Sequence, residues 1–407
     1  MTNVVFVAPF FLEATLRFVE VTADLPGVHV GVVSQDPIDR LAPRVRRKLA
    51  ADWRVRDALD PAHIADGVRG LGHKMGGVDR LLGALEQLQV PLAQVREALG
   101  IGGMEIEAAR NFRDKSRMKD VLAAAGVPCA RHMLAVDAEA VRRFTGTVGY
   151  PVVAKPPAGA GARNTFRVET EEQREQVLSW LPPSEVRPML VEEFMTGEEH
   201  SFDSVMVNGE PVWFSVSDYH PSPLTVMHNP WIQWNVLLPR DAGGPRYAEI
   251  RRVAAAALRA LGLRTGLTHM EWFRREDGTV AISEVGARPP GAQFTSLISY
   301  AHDTDFYRAW AELMVFDAFD PPERKYAVGG AYLRGMGRGR VVGVEGVDAA
   351  QRELGDLVVE ASLPRPGQPA GGSYEGEGYV ILRHPDTDVV RRGLQRTVEL
   401  IRVRLAE

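Results

Sequence analysis

The apolar positions open on two short buried strands. Val4-Val5-Phe6-Val7-Ala8 and Val28-His29-Val30-Gly31-Val32-Val33 are near-continuous apolar runs, and residues 11–25 between them repeat apolar positions at the helical period. Strand, helix, strand is a βαβ start. Helical spacing returns at 62–70, 78–88 and 91–99, and Asn111-Phe112-Arg113-Asp114-Lys115 opens a helix that stops at Gly126-Val127-Pro128. Strand patterns follow near 188–194, 201–207 and 211–217, the last two joined by Asn208-Gly209, a type I′ signal because both central residues of that turn need positive φ. After a helix near 246–261, the run His269 to Glu276 meets Asp277-Gly278 and continues from Thr279 to Val285, a second hairpin signal. From about 325 the chain turns to glycine and short strands, and it closes with a helix near 386–405. The pattern predicts an α/β chain in four segments: a Rossmann-like domain over 1–105, an α/β unit over 106–187, a strand-rich unit over 188–322 and a small β-rich domain over 323–407.

The second hairpin carries the strongest chemical signal. A two-residue turn at Asp277-Gly278 sets Glu271 opposite Glu284 and Phe273 opposite Ile282 on one face, with opposed β-carbons about 5 Å apart. The apolar pair turns that face inward. Two ionised carboxylates side by side on a sheltered face need a shared proton or a cation. Hard divalent ions such as Mg2+ commonly take one or two carboxylates plus substrate phosphates, so a metal and nucleotide site is expected.

Phosphate-binding elements lie upstream. Tyr150-Pro151-Val152-Val153-Ala154-Lys155 reads as a strand ending in lysine, followed by the small-residue loop Pro156 to Arg163 with Gly159 and Gly161. A lysine so placed can aim its ammonium, and the loop its backbone N–H groups, at phosphate oxygens. This is not a Walker A loop, in which the lysine follows the glycines and opens a helix. The first strand runs into Ala8-Pro9-Phe10-Phe11 rather than a glycine-rich turn, so no dinucleotide site is expected in the N-terminal domain. Met189-Leu190-Val191-Glu192-Glu193-Phe194-Met195 is an apolar strand interrupted by paired acids. It suits an adenine slot, where backbone groups read the base edge and a carboxylate accepts from the amino group. Solvated acids on an edge strand are the alternative for either glutamate alone.

Composition narrows the partners. A net charge of −5 from 48 basic and 53 acidic residues, with no long basic block, argues against a sequence-independent grip on nucleic acid and for a small substrate. Cys129 is the only cysteine, so no intrachain disulfide can form and a reducing cytoplasm is the expected setting. Lying in an apolar connection, Gly-Val-Pro-Cys-Ala, it reads as a small core residue rather than a nucleophile. No stretch is apolar enough to span a bilayer, and Met-Thr-Asn-Val-Val-Phe-Val lacks a charged leader region.

Taken in order, Lys115, Val152 to Lys155 with its loop, Glu192-Glu193-Phe194-Met195 with Gly197-Glu198-Glu199, and Glu271 and Glu284 with Arg288-Pro289-Pro290-Gly291 resemble the ATP-grasp superfamily, and within it the carboxylate–amine ligases. The likeness covers about residues 105–320. It implies a two-part nucleotide-binding core of mixed α/β and α+β character, between the Rossmann-like and the small β-rich domains. Carried over, Lys115 and Lys155 contact ATP phosphates, and Gly159 to Ala162 form a lid loop. Glu192, Glu193, Phe194 and Met195 hold adenine, and Glu199 the ribose hydroxyls. Glu271 and Glu284 coordinate Mg2+, or Mn2+ in its place, and Arg288 holds the reacting γ-phosphoryl group or acyl phosphate. The implied activity is ADP-forming ligation of a small carboxylate, an amino acid or related acid, to an amine. Both partners would be small molecules, without nucleic acid or membrane, in a chain free to form a homodimer.

One departure stands out. The family commonly has a metal-ligating Asn two residues after the second Glu, where this chain has Gly286. The aromatic, proline-rich stretch from Asp218 to Trp234 either lines the acceptor pocket or covers the sheet, and Glu86 and His73 in the first domain could reach the site but have no better claim to it than surface residues. Two other readings stay open. A biotin-carboxylase-like enzyme would use bicarbonate and a biotin carrier, for which no internal motif is present. A non-catalytic ATP-binding regulator is favoured only by Gly286.

Overall fold

Apolar runs buried on both faces call for a parallel sheet between helices, and the N-terminal segment forms one. The computed structural model describes residues 1–158, 164–229 and 232–406. Thr2–Val7 lies between Val28–Ser34 and Arg80–Leu82, with Ala51–Arg54 beyond, all parallel. Val4 and Phe6 pack with Phe18 and Val19 of the helix Glu13–Ala23, while Val5 and Val7 pack with Ile64, Leu71 and Leu92 of helices on the other face. The stretch 78–88 is not the expected helix. It is the edge strand Arg80–Leu82 followed by a 3-10 turn, Glu86–Leu88. Leu81 and Leu82 point into opposite layers of core, an alternation that a helical spacing count hides.

The helix expected from residue 111 is two helices, Ile106–Arg113 and Lys115–Ala124. Asp114 breaks them and caps the second, its carboxylate accepting from the N–H groups of Ser116 and Arg117. A small antiparallel sheet follows, in the order His132–Ala135, Met189–Glu193, Val152–Lys155, Phe166–Val168. Met189–Glu193 therefore belongs with strands that precede the division expected at 187/188.

The large sheet has eight antiparallel strands, in the order Val280–Gly286, Gly266–Arg274, Glu198–Val207, Glu210–His220, Trp234–Leu238, Ala327–Leu333, Gly378–His384, Val358–Ser362. The helix Ala248–Leu261 covers one face. Phe294–His302 and Phe306–Phe316 cover the other and join it to the N-terminal sheet, Trp310 touching the rings of both Phe6 and Phe18. The sheet runs unbroken across residue 322 through the pairing of Trp234 with Tyr332. The last residues, Arg402–Ala406, form a strand against Arg340–Glu345 rather than extending the closing helix, Thr387–Leu400. Among the described residues no helix is long and apolar enough to cross a membrane.

Both hairpins form, by different turns. Asn208 and Gly209 have φ of 53° and 89°, the type I′ geometry expected. At the second hairpin only Gly278 is left-handed, with φ 84°, and the Arg275 N–H donates to the Thr279 carbonyl across a three-residue loop. Pairing is thereby displaced by one residue: Trp272 faces Ile282 and Phe273 faces Ala281, so the expected Phe273–Ile282 pair is absent. A bulge at Ser283 then absorbs the extra residue, and Glu271 faces Glu284 after all.

His302 gives the fold a pH dependence. It is 4% exposed, with Nδ1 bonded at 2.9 Å to the Pro322 carbonyl. Burial, with the Arg324 guanidinium nearby, pushes its pKa down to about 4. The unfolded chain takes up this proton near pH 6.5, so the contribution is whole above that pH and is lost as pH falls toward 4. His302→Asn keeps a donor but cannot titrate. Between pH 7 and pH 4.5 the wild type is expected to lose about 2 kcal/mol more than this variant in urea unfolding; equal losses would remove His302 from the account.

Candidate nucleotide and metal site

The site forms where the start of the helix Lys115–Ala124, the end of Val152–Lys155, the strand Met189–Glu193 and the Glu271/Glu284 hairpin meet. Val152 and Ala154 face the helices of the small sheet, so alternation sends Lys155 to the opposite side. Glu192, diagonal to it on the neighbouring strand, shares that side. Lys155 Nζ lies 2.9 Å from Glu192 Oε2, and Lys119 Nζ lies 3.4 Å from the other oxygen. Lys119 is fully buried and also donates to the Ser283 carbonyl at 2.8 Å, so the bulge residue is tied to the helix. Lys115, one turn earlier, sits 2.7 Å from Glu284 Oε1.

These contacts set the charges. Burial alone would push the Glu192 carboxyl up, but Lys119 and Lys155 outweigh it and hold the pKa below the usual value. Burial drives Lys119 down, whereas for Lys155 the Glu192 charge, with Glu284 and Glu271 behind it, overcomes burial and keeps the ammonium protonated. The opposed carboxylates divide. Burial and the neighbouring Glu284 charge raise Glu271, while Lys115, Lys155 and Arg288 overcome burial at Glu284 and hold it low. Glu199, on the strand alongside, is pushed well up by burial and by the charge of Glu271. A reluctant carboxylate facing an ionised one is a hard-oxygen pair that a divalent cation would satisfy. Among the described residues no three His, Cys, Asp or Glu side chains gather as a ready-made cage, so the pair fits an ion whose remaining ligands are waters and phosphate oxygens.

The expected adenine segment has its side chains engaged. Glu193 accepts from the Arg131 backbone at 3.0 Å and from its guanidinium at 2.6 Å, and Arg275 lies 3.6 Å away. Arg167 stacks 4.3 Å above the Phe194 ring, and Met195 packs with Ala130, Ala281 and Phe273 of the hairpin. Gly159 and Gly161 lie outside the described residues, as do Pro230 and Trp231 of the aromatic stretch. Trp234 of that stretch is core, stacked 4.7 Å from Tyr332.

Several residues at the site were not expected there. Arg288 Nε bonds Glu86 at 2.6 Å, and the Glu86 side chain is only 11% exposed, so it has a better claim to the site than a surface residue. It begins the turn just past the C-terminal end of a parallel strand, where α/β sheets place binding residues; reading 78–88 as helix concealed that. His73 is exposed, bonded to the Arg69 carbonyl. His269 shares a face with Glu271 and pairs with Asp203 at 2.7 Å, which overcomes burial and raises its pKa. The alternation His269-x-Glu271 was the available signal. Tyr374, from the C-terminal segment, packs 4.7 Å from Trp234, and its hydroxyl pKa is raised by burial and by the Glu375 charge, with Glu271 adding to it.

Two antiparallel sheets close on a line of lysines and carboxylates. Residues 120–300 match the ATP-grasp domain model. An L-arginine-specific L-amino acid ligase of Bacillus subtilis is 25% identical over 248 residues, 60% of this chain and 59% of that protein. A D-alanine--D-alanine ligase of Geobacillus thermodenitrificans is 27% identical over 219 residues, 51% of this chain and 56% of that one. The chain thus spans less than two thirds of the length of these curated relatives. An L-amino acid ligase crystal structure from Bacillus licheniformis shares the whole fold, with a TM-score of 0.81 over 100% of this chain and 99% of that one at 16% identity.

The network predicts its own fragility. Lys119→Met leaves Glu192 with one ammonium and the Ser283 carbonyl without its donor, and is expected to cost roughly 3 kcal/mol in urea unfolding. An unchanged midpoint would show the buried lysine to be dispensable.

Proposed function

We propose that the chain is an ATP- and Mg-dependent ligase that activates a small carboxylate, an amino acid or a related acid, as an acyl phosphate and joins it to an amine, releasing ADP and phosphate. The observation that carries this reading is the opposed pair Glu271/Glu284 set beside Lys155, within the segment that matches the ATP-grasp domain model, and beside Lys115 just before it. The names of the amino-acid ligase relatives support the substrate class.

A carboxylate oxygen is a poor leaving group, so the γ-phosphoryl group of ATP is transferred to it first; the amine then attacks the acyl carbon and phosphate departs. Positioning and charge neutralisation are what this needs from the chain. Lys155 and Lys115 bind phosphate oxygens, Arg288 holds the transferred phosphoryl group, Glu192 to Met195 hold adenine, and Glu199 takes the ribose hydroxyls. Glu271 and Glu284 would hold Mg2+, or Mn2+, which would supply further neutralisation of phosphate charge. No side-chain nucleophile is required, and Cys129, its thiol pushed up by burial, takes no part. The proposed setting is the cytoplasm, where a lone thiol stays reduced. Gly286 favours a non-catalytic regulator as second reading; ATP binding without turnover would be its mark.

Wild-type protein is expected to release ADP, not AMP, with a suitable pair drawn from a screen of amino acids, and to form a hydroxamate when hydroxylamine replaces the amine. Lys155→Ala should reduce ADP release by about 100-fold or more. AMP and pyrophosphate as products would overturn the acyl-phosphate route.

The cation enters a separate test. Mg·ATP is expected to raise the melting temperature more than ATP with EDTA, and Glu271→Gln should shrink that difference. Identical shifts with and without Mg2+ would remove the metal from the pair.

A further inference from the structure

Arg288 is held from outside its own domain. Its Nε donates to Glu86 Oε2 at 2.6 Å and its Nη1 to the Pro289 carbonyl at 2.9 Å, which leaves Nη2 without a hydrogen-bond partner among the described residues. Two protein acceptors therefore fix the guanidinium plane and direct its remaining donors. The charge of Glu284 also acts on this guanidinium, so Arg288 lies near the carboxylate pair. Glu86 comes from the turn that follows the edge strand of the N-terminal parallel sheet, and Arg113 lies 3.9 Å from its other oxygen. Glycine at 286 leaves room for the approach. A Cβ there would sit 3.3 Å from Glu86 Oε2 and 3.7 Å from Arg288 Cγ, so a side chain at this position would push against the Glu86 carboxylate where it meets Arg288.

We propose that Glu86 is a positioning residue for phosphoryl transfer: the N-terminal domain reaches through the gap left by Gly286 to orient Arg288 toward the terminal phosphate of ATP. This rests on the ligase reading above. It also gives Gly286 a role, as the residue that admits a carboxylate from another domain. A guanidinium held at two points loses little freedom when it meets a phosphoryl oxygen. One released from Glu86 must be ordered at that moment.

The test uses the full-length chain and a substrate-independent mimic of the γ-phosphoryl group, beryllium trifluoride with Mg·ADP, followed by calorimetry. In Glu86→Gln and in Gly286→Val, which keeps the carboxylate but displaces it, affinity for beryllium trifluoride on the Mg·ADP complex is expected to fall by about tenfold or more. Affinity for Mg·ADP alone should stay within about twofold, and the double variant should be no worse than the worse single one, because both changes break one contact. Glu86→Asp should recover part of the loss. Should both variants lower the melting temperature yet bind beryllium trifluoride like the wild type, the pair merely joins domains and the proposal falls. A wild type that does not bind Mg·ADP at all would instead sink the ligase reading, and this inference with it.

Discussion

A carboxylate taken almost wholly out of water has to be matched, and Glu192 is matched twice. At 4% exposure it lies between Lys155 on the small sheet and Lys119 on the helix before it. Removing either cation would leave an uncompensated charge in a poorly screened place, so the three segments cannot drift apart independently. Lys119 extends the constraint by gripping the Ser283 carbonyl, and through the bulge it fixes the hairpin on which Glu271 and Glu284 face each other. The placement of the paired carboxylates is thus tied to a buried lysine that touches neither.

The two hairpin carboxylates are unequal by design of their surroundings. Glu284 has Lys115 at 2.7 Å, whereas among the described residues Glu271 has no cationic partner within ion-pair distance and is raised by burial and by its neighbour. Any positive group entering between them gains most from Glu271, since that carboxyl has the larger unmet demand for charge. Glu199 adds to the demand on the same face. The pair is therefore poised to favour a divalent cation, which can meet both carboxylates, over a further ammonium.

Much of this was legible in the residues, for uneven reasons. Thr2–Val7 and Val28–Ser34 declare themselves because burial on both faces leaves unbroken apolar runs, whereas the edge strands Ala51–Arg54 and Arg80–Leu82 are too short and polar to do so. The opposition of Glu271 and Glu284 was read correctly although its route was wrong: the loop holds one residue more than Asp277-Gly278 suggests, and the bulge at Ser283 cancels the difference. Backbone bulges have no side-chain signature beyond a tolerance for small polar residues, so the cancellation could not be read. Lys119 was hidden because lysines four apart on a helix ordinarily mark a solvated face. Glu86 was hidden by contact between domains, which local periodicity does not report.

The unbroken eight-stranded sheet bears on how far the C-terminal portion can be treated as an accessory. Ala327–Leu333 hydrogen-bonds directly to Trp234–Leu238, whose side chains are nearly all buried. A chain shortened at residue 322 would turn Trp234–Leu238 into a bare rim: unpaired backbone donors and acceptors beside a wide, flat, apolar surface. Such rims recruit strands from other molecules. The last fifth of the chain thus acts as a seal against self-association, and a chain shortened there would be expected to precipitate.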